Sequence, residues 1–267
     1  MSEAVPTEVR QALRRRGIML RESDGGRDDL LVGTWPEARR DRFYAEMQRY
    51  SFRLVLRDLI RLGRRGVTPE ELARQASLRA VRGHLRALTE LGLVGPAAGG
   101  QVKLLARASS LGPTLEWFVA ELLRRALGFC VGWSLPLRGG STGGDLDVVG
   151  LAEGRLLLVE VKSGPPKHLD VSHVGAFLDR VQALVPHGAI FFEDTELRMK
   201  DKVVPMFEDA LAARGVALRP RRLKREIFAV GSGLFIANAH PEALTNLSHC
   251  VGCMFREGGV DLGLDAG

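Results

Sequence analysis

Two aliphatic runs between positions 146 and 162 constrain this chain more than any other feature. Leu146-Asp-Val-Val-Gly150 and Arg155-Leu-Leu-Leu-Val-Glu-Val-Lys162 are separated only by Leu151-Ala-Glu-Gly154. Such runs, bounded by a glycine-containing turn, read as two strands of a hairpin. Strand side chains alternate between faces, so Glu160 and Lys162 share one face, and Asp145 and Asp147 likewise share one. If Glu153-Gly154 is a two-residue turn, Ala152 faces Arg155 and Asp147 sits opposite Glu160. If all of Leu151–Gly154 forms the loop, Asp145 sits opposite Glu160 instead. Either register sets an aspartate beside Glu160 on the Lys162 side. Two carboxylates and a lysine flanked by apolar residues are costly unless something compensates, and a divalent cation is the obvious compensator.

The surrounding pattern is that of an α/β domain. Gly112-Pro113-Thr114 opens an apolar helix, Leu115–Leu127, stopped by Gly128. Strands follow at Phe129–Leu135, Leu146–Gly150 and Arg155–Lys162. Next come a helix at Val171–Leu184, a strand at Ala189–Phe192, a helix at Lys202–Arg214 and a strand near Val216–Leu218. The order α-β-β-β-α-β, with its last strand reached through a helical crossover, predicts a mixed sheet. Ile227–Val230, Leu234–Ala237 and Ala243–Phe255 read as an extra hairpin and helix packed on this core. Cys250 and Cys253 have C-x2-C spacing, with His240 upstream, but a zinc site wants four such ligands. They are expected to be core cysteines.

Asp147-Val-Val followed by Glu160-Val-Lys162 resembles the PD-(D/E)XK nuclease superfamily. Its core is an Asp before two apolar residues, a short gap, then Glu-x-Lys. The helix Leu115–Leu127 with Gly128-Phe129 is similar to the first helix of the restriction-endonuclease-like and resolvase-like members, and Glu116 stands where they often carry a Glu. Glu121 is the second candidate there. The resemblance covers roughly residues 112–218. It implies Mg²⁺-dependent phosphodiester hydrolysis, with Mn²⁺ as the alternative ion. Asp147 and Glu160 would be metal ligands, with the Val161 carbonyl as a third. Lys162 would orient water or stabilise charge at phosphorus, and Glu116 would complete the catalytic set. Hard oxygen ligands suit such an ion, which lowers the pKa of bound water and offsets phosphoryl charge. Members often place a polar residue on the helix after Glu-x-Lys. His173 and Gln182 are the candidates here.

The first half reads differently. Residues 1–108 hold 21 Lys and Arg against 13 Asp and Glu, a net +8, and the rest of the chain is at −2. Only six of the 38 cations are lysine, and the guanidinium suits phosphate because it forks onto two oxygens. A helix is expected at Glu8–Arg16, and helical apolar spacing runs from Arg42 to Leu62. Thr68-Pro-Glu-Glu-Leu72 is a capped helix start, with Thr68 as cap and Glu71 three residues on. A helix over Leu78–Leu91 and a hairpin, Leu93–Pro96 with Gln101–Leu105, complete a set that resembles a winged helix-turn-helix over about residues 48–107. That resemblance implies a helix in the DNA major groove. Arg79, Arg82, His84 and Arg86 would lie on its outward face, with Arg74 and the wing's Lys103 beside it.

These readings combine into three parts: an N-terminal helix and arm (1–45), a winged helix-turn-helix (46–108) and a PD-(D/E)XK nuclease-like domain with a C-terminal extension (109–267). The fold class is α/β, a restriction-endonuclease-like core preceded by a small winged-helix domain. No apolar stretch reaches the about 18 residues of a membrane helix. The charged start (Glu3, Glu8, Arg10) and three cysteines predict a cytoplasmic protein. The expected activity is a Mg²⁺-dependent deoxyribonuclease partnered by DNA, with no membrane partner, and as a homodimer where both strands are cut. The alternative is a non-enzymatic winged-helix regulator whose nuclease-like domain serves dimerisation or ligand binding.

Overall fold

The computed structural model describes residues 5–21, 29–62, 65–73, 76–138, 144–164 and 166–257. Contacts divide the chain into two compact units. One is built on residues 26–118, and the other combines 4–25 with 119–267. The first helix, α1 (Thr7–Arg14), belongs to the second unit.

The first unit holds α2 (Glu37–Met47), α3 (Tyr50–Leu62), α4 (Pro69–Leu72), α5 (Leu78–Glu90) and the strands β1 (Val94–Pro96) and β2 (Val102–Leu104). The helical spacing over 42–62 is two helices rather than one. The break at Gln48–Arg49 is held by Arg53, whose buried guanidinium donates to the Met47 carbonyl at 2.5 Å and the Gln48 carbonyl at 3.2 Å. These are carbonyls that a helix end leaves without intrahelical donors. The expected cap on α4 is present: Glu71 N–H donates to Thr68 Oγ1 at 3.2 Å, and Thr68 N–H to Glu71 Oε2 at 2.7 Å. Phe43, Met47, Phe52, Leu56, Leu59, Val81 and Leu88 fill the core. The hairpin pairs Val94 with Leu104 and Pro96 with Val102. Its tip needs glycine, since Gly99 and Gly100 sit at φ 65° and 74°.

The second unit is a mixed α/β layer structure. Helix α6 (Gly112–Leu127) runs into it, followed by β3 (Cys130–Leu135), β4 (Leu146–Ala152), β5 (Arg155–Lys162), α7 (Val171–Leu184), β6 (Gly188–Glu193), α8 (Val203–Ala212), β7 (Arg221–Lys224), β8 (Ile227–Val230), β9 (Leu234–Asn238) and α9 (Ala243–Glu257). Among the described residues the strands form one seven-stranded sheet in the order β3-β4-β5-β6-β9-β8-β7. β3, β4 and β5 are antiparallel neighbours, while β5, β6 and β9 run parallel. The α-β-β-β-α-β order expected from the sequence is the order found from α6 to β6.

Two expectations are corrected here. Val216–Leu218 is irregular, and the strand is the cation-rich Arg221–Lys224. It is a sheet edge, where charged side chains block further pairing, so hydrophobicity does not reveal it. The C-terminal hairpin is not merely packed on the core: β9 adds to β6 in parallel, Ile190 beside Phe235 and Phe191 beside Ile236, and extends the sheet.

One apolar cluster joins α1, α7 and α8 to one sheet face. It includes Val9, Leu13, Val149, Leu156, Leu158, Phe177, Phe191, Phe207 and Ile236. By strand alternation Leu157, Val159 and Val161 point to the opposite face. Helix α9 crosses β6 and β9 so closely that a Cβ at Gly188 would collide with Met254.

Candidate functional site

The turn between β4 and β5 decides the site. Ala152 pairs with Arg155, leaving Glu153 (φ 50°) and Gly154 (φ 73°) as a two-residue turn, the tight hairpin type with both central residues at positive φ. The ladder continues through Val148 opposite Val159, which brings Asp147 opposite Glu160. Asp145 precedes the strand and is exposed. The first of the two registers open to the sequence is therefore the one present. Asp147 is anchored across the ladder, where its Oδ2 accepts the Val161 N–H at 2.7 Å.

Glu160 is buried at 2% exposure, and both of its oxygens are engaged. Oε1 accepts from Lys162 Nζ at 2.6 Å, and Oε2 accepts from the Arg180 guanidinium at 2.7 Å. Arg180 comes from α7, lies within reach of Gly144 and is itself buried. Asp147 has less support. Burial first, and the Glu160 charge second, push its pKa up to about 7, while Lys162, the Val161 N–H and Arg180 pull the other way. Two cations, both bonded to Glu160, thus face the two carboxylates, and burial is what most disfavours the charge on Asp147.

Parallel pairing of β5 with β6 sets Lys162 beside Glu193. Glu193 is fully buried, and neither carboxylate oxygen has a hydrogen-bond partner among the described residues. Burial pushes its pKa up to about 8, against the pull of the Lys202 charge and with Asp194 adding to the rise. Sequence reasoning singled out neither Glu193 nor Arg180. The signal for Glu193 is an acidic pair, Glu193-Asp194, closing the apolar strand Ala189–Phe192. The signal for Arg180 is a lone cation among apolar residues on the inward face of α7.

The remaining candidates fall elsewhere. Glu116, on the second turn of α6, belongs to the first unit, whereas Asp147, Glu160, Val161 and Lys162 belong to the second. Glu121 is committed to the Arg124 and Arg125 guanidiniums on its own helix. His173 caps α7 together with Asp170, and Gln182 is exposed. The α7 side chain that reaches Glu160 is Arg180. Arg79, Arg82 and Arg86 are exposed along α5, and Arg82 pairs with Glu70 at 3.3 Å. Lys103 is exposed on β2, and Arg74 lies outside the described residues. His84 is a correction. It is not on the outward face but buried at 6% exposure, with Nε2 at 2.9 Å from Ser51 Oγ and its ring edge-on to Phe52. Burial lowers its pKa. Cys250 and Cys253 are buried thiols of α9. Among the described residues no three His, Cys, Asp or Glu side chains gather as a metal cluster, and no helix is long and apolar enough to cross a membrane.

The fold has counterparts among solved structures. The crystal structure of protein VC1899 from Vibrio cholerae matches with a TM-score of 0.59 at 14% identity, over 94% of this chain and 62% of that one. Can2 from Sulfobacillus thermosulfidooxidans, solved in complex with cyclic tetra-adenylate, matches with a TM-score of 0.48 at 14% identity over the same shares. The first likeness shows a shared fold. The chain spans 62% of the length of either protein. No protein-family model and no curated protein matches it.

Proposed function

We propose that the chain is a metal-dependent nuclease of the PD-(D/E)XK type, acting on DNA at Asp147, Glu160 and Lys162. The observation that carries this reading is the Asp147–Val161 hydrogen bond, which fixes one carboxylate beside a second on the neighbouring strand. Lys162 stands on the same face. The element order from α6 to β6 is the order this superfamily's core requires, and the restriction-endonuclease-like description of the sheet rests on it.

The donor set fits a hard divalent cation such as Mg²⁺ or Mn²⁺. Mg²⁺ takes one or two carboxylates and fills its remaining positions with water and phosphate oxygens, so a cluster of three acids is not needed. The pKa of Asp147, pushed up to about 7 by burial first and by Glu160 second, marks a carboxylate whose charged form a cation bound beside it would favour. Asp147 and Glu160 would hold the ion, with the Val161 carbonyl next to them. A bound ion supplies an acidified water and offsets charge at phosphorus. The chain's own groups do the rest. Arg180 holds Glu160 in place through its Oε2. Lys162 now blocks Glu160 Oε1, and it must swing off that oxygen when the carboxylate is used. Its ammonium is then within reach of an attacking water or a developing phosphoryl charge. Glu116 would add to this set only if its unit brings it to the same place.

In the first unit, helix α5 with Arg79, Arg82 and Arg86 and the hairpin's Lys103 form the winged helix-turn-helix reading, to which the sequence adds Arg74. These cations would contact phosphates and base edges of duplex DNA and deliver it to the nuclease unit.

One observation favours the non-enzymatic reading. Glu160 is already paired by both Lys162 and Arg180, and a buried acid held by two cations is also a structural network. Cleavage decides between the two. Labelled duplex, single-stranded and branched DNA, and RNA, are incubated with Mg²⁺ or Mn²⁺ and wild type, Glu160→Ala or Lys162→Ala. Metal-dependent cutting lost in both variants supports the nuclease. Equal cutting by all three refutes the site. No cutting, with salt-sensitive duplex binding intact in both variants, supports the regulator.

A further inference from the structure

A second cluster of charge sits in the nuclease unit, away from the carboxylates. Helix α1 buries Val9, Ala12 and Leu13 against the sheet and turns Arg10 and Arg14 outward. The chain then runs alongside the end of β3. Leu20 bridges Leu137, Arg21 N–H donates to the Pro136 carbonyl at 2.8 Å, and Arg138 N–H donates to the Met19 carbonyl at 2.8 Å. This brings Arg21 and Arg138 to the same hollow as Arg10 and Arg14. Its volume is about 500 Å³, and Ile18, Met19 and Leu20 complete its lining. No acidic side chain lines it among the described residues. All four arginines are exposed.

Such an arrangement is unfavourable by itself. Arg10 and Arg14 are one helical turn apart, a spacing at which like charges repel. Arg14 gains from the C-terminal helix dipole and Arg21 from a hydrogen bond of its Nε to the Leu137 carbonyl, but no ion pair holds any of the four among the described residues. Four guanidiniums around one hollow match an anion with several oxygens, which each fork can grip in pairs.

The position says which anion. Val9, Ala12 and Leu13 lie in the same apolar cluster as Val149 and Leu158. Each of those strand residues is two positions from a site carboxylate, so alternation puts Asp147 and Glu160 on the α1 face. Leu135 pairs with Leu146. Asp147 follows Leu146 directly, and Arg138 lies three residues past Leu135, on the order of 10 Å at strand rise. The hollow therefore shares both the face and the end of the sheet with Asp147, Glu160 and Lys162, one strand farther out. Part of the basic excess counted in the first 108 residues thus folds into the nuclease unit.

The geometry points to a phosphate-binding cleft, formed by Arg10, Arg14, Arg21 and Arg138, that holds the nucleic-acid backbone and leads it to the Asp147 side of the sheet. It rests on the reading of that side as a phosphodiesterase site. Its test does not need cleavage. Fluorescence anisotropy of labelled duplex and single-stranded DNA, in EDTA, compares the wild-type chain with an Arg10→Ala/Arg14→Ala/Arg138→Ala variant. These three side chains are exposed and repel one another, so the variant should melt no lower than wild type. Arg21 is left alone because its Nε holds the Leu137 carbonyl at 2.6 Å. Binding should weaken about ten-fold or more at low salt, and the slope of log K against log salt should fall by roughly two to three on duplex DNA. Equal affinity and slope in the two proteins would overturn the cleft. So would loss of binding to phosphatidylserine vesicles with DNA binding unchanged. Arginine-dependent binding by a chain that never cuts would keep the cleft and refute the nuclease reading instead.

Discussion

Arg180, from the middle of α7, donates to Glu160 Oε2 at 2.7 Å, and both side chains are almost wholly out of solvent. The helix after β5 therefore does more than cover the sheet. It gives Glu160 Oε2 a charged donor while Lys162 holds the other oxygen. A buried ion pair contributes little net stability, but breaking one partner away is expensive. Arg180→Met should cost about 3 kcal/mol, at the lower end for a buried pair because Lys162 remains. Glu160→Gln together with Arg180→Met should recover much of that loss. Urea unfolding of the four proteins of this cycle measures the coupling. Simple additivity of the two substitutions would show that the pair carries no interaction energy.

Asp147 leads to a different expectation. Its charge is disfavoured by burial and by Glu160, so Asp147→Asn should leave the metal-free protein as stable as wild type or more so. Mg²⁺ should then separate the two. An ion at 100 times its dissociation constant stabilises by about 2.7 kcal/mol, and that gain should vanish in Asp147→Asn. Thermal melts with and without Mg²⁺ read both effects. Equal stabilisation of the two proteins would place the ion elsewhere.

Glu193 sets a pH dependence. Its folded-state pKa is about 8, against 4.5 for an ordinary glutamate. Between these values the unfolded chain has released the proton and the folded chain still holds it. The folded state thus binds more protons, and stability falls as pH rises through this window. Below pH 4 the effect is absent, because both states are protonated. Glu193→Gln cannot titrate, so its advantage over wild type should grow from pH 5 to pH 8 in metal-free buffer. Parallel melting curves across that range would contradict a neutral buried acid at this position.

The β4–β5 hairpin was legible because its turn and its alternation are local. Glu153-Gly154 is a turn by composition, and once it closes with two residues the position of Asp147 follows. The Thr68–Glu71 cap and the limits of β5 and α7 were readable for the same reason. Other features depend on partners distant in sequence. His84 sits on a helix whose inward face is decided by Ser51 and Phe52. Arg180 gains its meaning from Glu160, twenty residues earlier. The Arg221–Lys224 edge carries no apolar signal, and nothing local shows that β9 joins β6 or that α1 packs with the C-terminal sheet.

For the first unit, Arg79→Ala with Arg86→Ala should weaken duplex binding uniformly across sequences if these groups meet phosphates. The salt slope should drop by about one for each phosphate that is no longer neutralised. If they read guanine instead, affinity should fall for preferred sites only, with the slope nearly unchanged. A variant that binds duplex DNA as wild type does, at every salt concentration, would assign this unit to another partner.

The most direct test of the account is single-turnover cleavage by saturating enzyme of the substrate the panel identifies, with Mg²⁺, comparing wild type with Lys162→Ala. Melting curves and DNA affinity are measured on the same samples. The variant should fold and bind DNA while its cleavage rate falls by about two orders of magnitude or more, the scale of losing a group that stabilises transition-state charge. A folded, DNA-bound Lys162→Ala protein that cuts at the wild-type rate would contradict it.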